Sequence, residues 1–320
     1  MRYVLTILSI IMLASCVKQE AMLSSEEQTK RDSMALKVAV MPVLSNLPVY
    51  YAERTGLLDS MGLNIRLQRF QAQMDIDTAI IHNRVDIAPS DLIRALRLWT
   101  DTTQVRAFMA VDEPISLIAL KGRRVSKVHQ LKEKMVAVCR LCITDYWCDQ
   151  MMDSTEVSHQ DFYRPQVNDV GLRTEMLRTG LMDAAILPEP YATWMKAAGH
   201  KELKRTDDKS PHLAVWVMQN HHRTDSLKVE QIKGFRYAYD KAVEQLNKGA
   251  YPDTVRSILQ RDFGIQPQAL DSLILPALKS AMNPEKKDAE IAAKWLKGRN
   301  RLPKTAKLDS LCLNEELTIK

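Results

Sequence analysis

Residues 36–43 read LKVAVMPV and residues 47–58 read LPVYYAERTGLL. The first stretch is rich in β-branched residues and alternates in polarity, which is typical of a strand. The second stretch is compatible with a short helix from Pro48 to Thr55, ended by Gly56. Together they predict a strand, a loop and a helix, which is the repeating unit of an α/β fold.

The same unit recurs along the chain. The predicted strands are 63–70, 85–88, 105–110, 115–120, 135–139, 184–187 and 212–218. The predicted helices are 74–82, 91–100, 128–132, 144–153, 172–179, 226–248, 253–263, 267–278 and 287–297. From Asn300 the chain is expected to fray into a polar tail. Strands that alternate with helices predict a mainly parallel sheet with helices on both faces.

The N-terminus carries a segment that is typical of export. Arg2 precedes an apolar run from Tyr3 to Leu13, which is far shorter than the roughly 20 residues that a membrane-spanning helix needs. Ala14 and Ser15, followed by Cys16, resemble a bacterial lipobox. Residues 1–16 are therefore predicted to be a lipoprotein signal peptide with Cys16 as the lipidated residue, the alternative being an ordinary signal with a chance cysteine. Residues 17–35 are polar and without periodicity, which predicts a flexible tether.

Composition limits the classes of partner. The net charge is +6, but the basic residues are spread along the chain and do not interleave with stacking aromatic residues. Nucleic acid is therefore not expected as a partner. No second apolar run is long enough to span a membrane. About 285 residues remain after the tether, enough for two lobes with buried cores.

Four stretches together identify a family. They are LPVYYAERTGLL at 47–58, GLNIRL at 62–67, NRVDIAPSD at 83–91 and AAILPEPY at 184–191. In this order and spacing the chain resembles the substrate-binding proteins of ABC importers, in the branch that includes thiamine-pyrimidine, sulfonate and nitrate binders. It departs from the family pattern at Ile65, where Val is usual.

The resemblance implies an α/β fold of the periplasmic-binding-protein type II class, with two α/β lobes, a hinge and a ligand cleft between the lobes. Lobe 1 is expected at 36–110 plus 207–300 and lobe 2 at 111–206, with crossings near Val111 and Thr206 and a polar tail at 301–320. The implied function is capture of a small molecule by lobe closure and delivery to ABC permease subunits. The chain is expected to be a monomer in the cell envelope, anchored to the membrane through Cys16 and facing the periplasm or outer surface.

In such sheets, ligands lie beyond the carboxyl ends of the strands. Ser90 and Asp91 could contact ligand, or one of them could instead cap the following helix without touching ligand. The family binds ligand oxygens at the turn near Thr144 through small hydroxyl or glycine residues, a pattern that this chain follows poorly. Aromatic rings that could stack on a ligand are Tyr50, Tyr51, Tyr191, Trp194 and Trp216, any of which could instead belong to the core. The predicted ligand-binding residues are Asn46, Ser90, Asp91, Glu113, Arg140, Thr144, Asp145, Glu189, Tyr191 and Trp216.

Glu189 is the main candidate for a ligand contact. It follows a buried strand and lies between two prolines, whose fixed φ stiffens the backbone. The alternative is a carboxylate that complements the N-terminus of the helix after it. Asp91, Asp145 and Glu189 outnumber Arg140, which favours a neutral or cationic nitrogen heterocycle, such as a thiamine precursor, over nitrate or a sulfonate.

Three cysteines leave alternatives open. Cys139, Cys142 and Cys148, with His159, could hold a metal as in thiamine-pyrimidine synthases of this fold, could form a disulfide, or could be structural. We expect neither a metal nor another cofactor and no enzymatic activity. The alternatives are an enzyme on the same fold, including one of the menaquinone-pathway type, and a ligand sensor.

Overall fold

The structure is a computed structural model that describes residues 31–313, except residues 101, 154, 156, 159–160 and 251. The predicted signal peptide, Cys16 and most of the tether lie outside the described residues, as does the end of the tail. The compact unit that carries the two sheets begins at Leu36.

Nine strands lie in the described residues. In chain order they are β1 (Leu36–Val40), β2 (Ile65–Arg69), β3 (Ile87–Asp91), β4 (Val105–Ala110), β5 (Ile115–Ala119), β6 (Val136–Ala137), β7 (Ala184–Pro188), β8 (Lys201–Arg205) and β9 (Ala214–Gln219). They form a five-stranded sheet in the order β2-β1-β3-β9-β4 and a four-stranded sheet in the order β6-β7-β5-β8.

Helices connect and cover these strands. In chain order they are α1 (Leu47–Arg54), α2 (Leu57–Ser60), α3 (Gln73–Ile81), α4 (Leu92–Arg97), α5 (Ile143–Asp153), α6 (Val170–Arg178), α7 (Tyr191–Ala197), α8 (Ser226–Asn247), α9 (Pro252–Arg261), α10 (Pro267–Leu270) and α11 (Lys286–Gly298). Short 3-10 segments lie at Leu44–Asn46, Val128–Leu131, Asn220–Thr224 and Leu308–Ser310.

The sheets are mixed rather than mainly parallel. Strand β1 pairs in parallel with β2 and β3, and β6 pairs in parallel with β7. Strand β9 runs antiparallel between β3 and β4, and β5 runs antiparallel between β7 and β8. The local strand–helix pattern could not predict this, because β9 joins its sheet more than a hundred residues after β4.

Two buried clusters cover the two faces of the sheets. Leu36, Val38 and Val40 point from β1 into a cluster with residues of α1 and α8. Ala39, on the opposite face, packs with residues of α3, α4 and α11. Alternation of side chains along β1 therefore places helices on both faces, as the sequence predicted.

Three regions differ from the sequence-based expectations. Strand β8 was not predicted, because Lys201–Arg205 is mostly polar and lies at a sheet edge. The predicted helix 267–278 ends at Leu270. Beyond Asn300, where fraying was expected, Leu311 is fully buried and both its carbonyl and the amide of Leu313 hydrogen-bond to Ala107. Within the described residues, no helix is long and apolar enough to cross a membrane.

Candidate functional site

A cavity of about 80 Å³ lies between the two sheets. Its walls come from the segments that follow β1, β3, β4 and β6 and from helix α6. The sheets contact each other around it: the Leu44 amide donates to the Glu189 carbonyl at 2.8 Å, and Arg97 Nη1 donates to the Leu141 carbonyl at 3.0 Å. The cavity therefore lies where ligands bind in sheets of this kind, beyond the carboxyl ends of parallel strands.

The turn after β1 holds Asn46 against the cavity. Its Oδ1 accepts a hydrogen bond from the Met41 amide at 3.1 Å, which closes the turn. Ser45 Oγ donates to Glu113 Oε2, so this turn also orients a carboxyl group that follows β4. Asn46 and Glu113, both predicted from their position at strand ends, lie together in the wall.

Glu113 is half-buried as a residue, but one oxygen of its carboxyl group is buried and has no protein partner in the described residues. Burial raises the pKa of its carboxyl group to about 8, while the hydrogen bonds from Ser45 oppose this and Asp112 and Glu189 add to it. Its Oε1 is buried and has no hydrogen-bond partner in the described residues. Near neutral pH this carboxyl group can therefore either donate or accept a hydrogen bond.

Ser90 and Asp91 lie at the end of β3. Asp91 Oδ1 accepts a hydrogen bond from the Arg94 amide at 2.9 Å and so caps α4, as one of the two sequence interpretations held. Burial, and then the nearby Cys142 sulfur, raise the pKa of Asp91 to about 7. Both residues line the cavity, and the buried Oγ of Ser90 has no partner in the described part of the chain.

The turn between β6 and α5 forms the opposite wall. Thr144 Oγ1 donates to the Cys139 carbonyl at 2.9 Å and accepts from the Cys139 amide at 3.1 Å. Thr144, Cys139 and Cys142 all line the cavity. The Thr144 hydroxyl group therefore stabilises the turn, and in this turn the two cysteines face the cavity.

A buried arginine completes the site. Arg173, on α6, is 3% exposed and lines the cavity. Its Nη1 donates to the Val167 carbonyl at 2.9 Å, whereas its Nε is buried without a partner among the described residues. Sequence reasoning missed Arg173, because an arginine within a predicted helix normally lies on the solvated face.

Five predicted residues lie elsewhere. Glu189 is fully buried, but it does not line the cavity. Its Oε2 accepts from the Thr193 amide at 3.0 Å, and Arg205 Nη1 lies 3.2 Å from its Oε1. Helix α7 begins two residues after Glu189, so the carboxylate caps that helix, which is the alternative that the sequence left open.

Arg140 and Asp145 line a second, larger cavity of about 800 Å³. There Arg164 Nη1 lies 2.7 Å from Asp145 Oδ1 and Arg164 Nη2 lies 2.5 Å from Asp149 Oδ1. The side chain of Asp145 also accepts from the Leu141 amide. Because the turn before α5 directs Asp145 away from Thr144, the two neighbours face different cavities.

Tyr191 and Trp216 belong to the core. Tyr191 Oη donates to the Phe263 carbonyl at 2.8 Å, and the Trp216 ring packs 4.8 Å from Phe235. No aromatic side chain of the described residues lines the cavity between the sheets. The acidic residues that line this cavity are Asp91 and Glu113, and its basic residue is Arg173. The charge balance predicted from the sequence relied instead on Asp145, Glu189 and Arg140, which do not line this cavity.

Within the described residues, the cysteines are not arranged as a metal site. Cys139, Cys142, Cys148 and Cys312 are all free thiols. Cys148 points into the core, away from the cavity. Across the described ranges, no group of three or more His, Cys, Asp or Glu side chains is arranged to hold a metal ion, and His159 lies outside them.

Comparison with known proteins bears on both fold and family. Residues 45–244 match the sequence model of the NMT1/THI5-like family. No curated protein sequence matches the chain.

Solved structures with a similar fold include three from different organisms. The alkanesulfonate-binding protein SsuA from Xanthomonas axonopodis pv. citri, bound to MOPS, has a TM-score of 0.71 at 15% identity, covering 86% of this chain and 96% of that one. The periplasmic nitrate-binding protein NrtA from Synechocystis PCC 6803 has a TM-score of 0.72 at 12% identity, covering 88% and 86%. A Candida albicans gene product described as having the generic periplasmic binding protein fold has a TM-score of 0.58 at 16% identity, covering 89% and 99%. The predicted fold class is confirmed.

Proposed function

The chain belongs to the NMT1/THI5-like family, and from that premise we propose that it is a solute-binding protein of an ABC importer. It captures a small organic molecule in the cavity between its sheets and delivers it to permease subunits. The proposal agrees with the fold, which solved solute-binding proteins share. It assigns the chain no enzymatic activity.

One observation carries this proposal. Ser90 Oγ, Glu113 Oε1 and Arg173 Nε are buried polar atoms without a protein partner among the described residues, and all three belong to side chains that line one cavity. A buried polar group without a partner costs about 1–3 kcal/mol. A ligand that hydrogen-bonds to all three recovers that cost.

The ligand that we propose is a thiamine precursor or similar nitrogen heterocycle. Glu113 Oε1 and the carboxyl group of Asp91 can accept from amino groups of such a molecule, and the protonated acids can donate to its ring nitrogens. Asn46 lies beside Glu113 and Ser90 beside Asp91, which gives donors and acceptors on both sides. The heterocycle would then be held by hydrogen bonds rather than by stacking.

An anionic ligand is the second candidate, because Arg173 offers a buried guanidinium group in the same wall. A carboxylate, sulfonate or phosphate could accept from its free Nε. Loss of Glu113 should weaken binding of a heterocycle most, whereas loss of Arg173 should weaken binding of an anion most, so these two substitutions distinguish the candidates.

Binding would involve closure of two lobes. The contacts from Leu44 to Glu189 and from Arg97 to Leu141 join the two sheets around the cavity. We propose that these contacts break when ligand leaves and that the crossings near Val111 and Thr206 act as the hinge. Closure then buries the ligand among residues of both lobes, which is how binding energy stabilises the closed form.

We further propose that the protein acts outside the cytoplasm. The predicted lipidation of Cys16 would hold a monomer at the membrane surface, near its permease. Such an anchor needs no membrane-spanning helix. The alternative to transport is a ligand sensor that uses the same cavity. In a sensor, the partner that recognises the closed form would be a signalling protein rather than a permease.

The test is thermal unfolding of the purified protein with hydroxymethylpyrimidines, thiamine, sulfonates, nitrate and purines. A ligand at a hundred times its dissociation constant adds about 2.7 kcal/mol of stability, which is a visible rise in midpoint. We expect one class of compound in the panel to raise the thermal unfolding midpoint of the wild type and of Glu189→Gln. The same compound should not raise the unfolding midpoint of Glu113→Gln. No rise for any compound, or a rise only with added iron or zinc, would overturn the proposal.

A further inference from the structure

Two cysteines lie in the wall of the cavity without a role in the proposed function. Cys139 and Cys142 are 4% and 3% exposed and are spaced three residues apart in the turn before α5. Cys142 Sγ donates to the Cys139 carbonyl oxygen at 3.0 Å, and the two thiol groups are close enough to influence each other's ionisation. This is the spacing at which two thiols of one turn can join.

Their surroundings favour a negative sulfur on Cys139. The hydrogen bond from Cys142 and the guanidinium groups of Arg94 and Arg173 together lower the pKa of the Cys139 thiol to about 6, against the opposing effects of burial and of Asp91. Arg94 Nη1 lies 3.8 Å from Cys139 Sγ, and Arg94 itself is 2% exposed. Burial and the Cys139 sulfur raise the pKa of Cys142 well above its usual value.

The other two described cysteines differ in chemistry. Burial raises the pKa of Cys148 to about 12 and that of Cys312 to about 11. Neither lines the cavity. Since the thiolate is the reactive form of cysteine, only the turn before α5 combines an activated thiolate with a neighbouring thiol among the described cysteines.

We propose that Cys139 and Cys142 form a reversible thiol–disulfide pair whose oxidation state sets the charge that a ligand meets in the cavity. The oxidant is a small organic disulfide. The Cys139 thiolate attacks one of its sulfurs and releases one thiolate; Cys142 then loses its proton to solvent and attacks the Cys139 sulfur, which releases the second. Two cysteine thiols are oxidised to one disulfide, and the organic disulfide is reduced to two thiols.

Oxidation changes the electrostatics of the wall. The reduced pair places a negative sulfur beside Arg94 and Arg173, whereas the disulfide is neutral. Arg94 keeps Asp77 as a partner, with Nη2 2.6 Å from Oδ2, but Arg173 loses a compensating charge inside the cavity. We therefore expect the affinity for an anionic ligand to rise about tenfold on oxidation. This part rests on the proposed function, while formation of the disulfide does not.

The first test uses the purified full chain with hydroxyethyl disulfide, followed by alkylation of free thiols and peptide mapping. We expect a peptide that carries a Cys139–Cys142 bond and has lost two hydrogen atoms, with the buried Cys148 alkylated only after unfolding. Dithiothreitol should restore both thiols. A folded wild type in which Cys139 and Cys142 stay reduced at a hundredfold excess of oxidant would overturn the proposal.

Variants separate the two roles. Cys142→Ser should stop at a mixed disulfide on Cys139, and Cys139→Ser should react at least about tenfold more slowly than wild type, because the attacking thiolate is absent. Cys312→Ser is the matched control and should react as the wild type does. Equal reaction rates in Cys139→Ser and wild type would contradict the assignment of Cys139 as the nucleophile.

The second test compares ethanesulfonate and a hydroxymethylpyrimidine by thermal unfolding of the reduced and oxidised protein. We expect oxidation to shift the balance toward the sulfonate by about tenfold. If the disulfide forms but the affinities for ethanesulfonate and the hydroxymethylpyrimidine keep the same ratio, the proposal that the cysteine pair sets the charge of the cavity is overturned. A disulfide that forms in a protein that binds nothing in the panel would instead contradict the proposed function and leave the thiol pair intact.

Discussion

Two cavities of the described residues, one between the sheets and one beside Arg140, differ in a way that their volumes do not predict. The cavity lined by Arg140, Asp145 and Arg164 measures about 800 Å³, ten times the volume of the cavity between the sheets. Two arginines of its wall, Arg164 and Arg299, are paired with the buried Asp149 behind the wall, which also accepts from Trp295. The smaller cavity brings together three buried polar atoms that have no hydrogen-bond partner in the described residues, on Ser90, Glu113 and Arg173.

The comparison shows that unsatisfied bonding capacity, rather than volume, marks the candidate ligand site. Paired charges stabilise the fold and have little left to offer a ligand. Buried polar groups without a partner cost stability, so three of them around one cavity indicate a function. Substitutions in the two cavities should therefore affect different properties, stability in the larger and binding in the smaller.

The largest effect should come from Asp149, the buried carboxylate behind the wall of the larger cavity. Asp149 is 1% exposed and accepts from Trp295 Nε1 at 2.6 Å as well as from two arginines. Asp149→Ala leaves these donors without their acceptor, which should lower the free energy of unfolding by about 3–5 kcal/mol. Denaturant unfolding measures this, and Asp149→Asn, which retains one acceptor oxygen, should lose less. An affinity for ligand that falls with Asp149→Ala while the fold is intact would break the comparison.

The next effect is a pH dependence of stability that originates in the smaller cavity. Because the folded-state pKa of Glu113 is raised to about 8, folding favours its protonated form. That contribution is complete below the ordinary pKa near 4.5 and is lost as pH rises through 8, by about 1.4 kcal/mol per pH unit. Asp91, with a pKa near 7, acts in the same direction.

Glu113→Gln should flatten this dependence, since the amide does not titrate. The measurement is denaturant unfolding between pH 5 and 8 without ligand, with Glu189→Gln as the matched buried control. A slope that is equal in wild type and Glu113→Gln would show that Glu113 is ionised throughout and would remove its assignment as a neutral acid.

A smaller effect is expected from Ser90→Ala. The hydroxyl group has no protein partner in the described residues, so its loss should leave stability unchanged or slightly higher. Ligand affinity should fall about five- to tenfold, which corresponds to one neutral hydrogen bond. Calorimetric titration with the ligand found in the panel measures this; a loss of stability without a loss of affinity would assign Ser90 to the fold instead.

The smallest effect is expected from Arg140→Ala. Arg140 was predicted to contact ligand, but its side chain is exposed at the larger cavity. Exposed substitutions of this kind change stability by less than about 0.5 kcal/mol, and affinity should be unchanged. An affinity that falls tenfold or more in a titration would reinstate the sequence prediction and move the site toward the larger cavity.

Local patterns predicted most elements of the fold. The β-branched runs became β1, β4 and β9, and the polar alternation near Leu67 became β2. The sheet order was not accessible, because the placement of β9 between β3 and β4 depends on contacts across more than a hundred residues. The edge strand β8 was missed, because edge strands carry polar residues and lack the alternation that identifies a strand.

The candidate site was predicted where position along a strand suffices. Ser90 and Asp91 end β3, and Asn46 and Glu113 lie in the segments that follow β1 and β4; the structure places all four in the cavity wall. Direction within a turn cannot be read from sequence, which is why Glu189 was predicted for the wall but caps α7. Contacts of Asn46, Ser90, Asp91 and Glu113 with a ligand stay predictions.

The most direct test of the central claim is a crystal structure with the strongest ligand from the panel. The account predicts ligand atoms between the two sheets, within hydrogen-bond distance of Ser90 Oγ, Glu113 Oε1 or Arg173 Nε. Ligand in the cavity beside Arg140 and Arg301, with the space between the sheets empty, would contradict it.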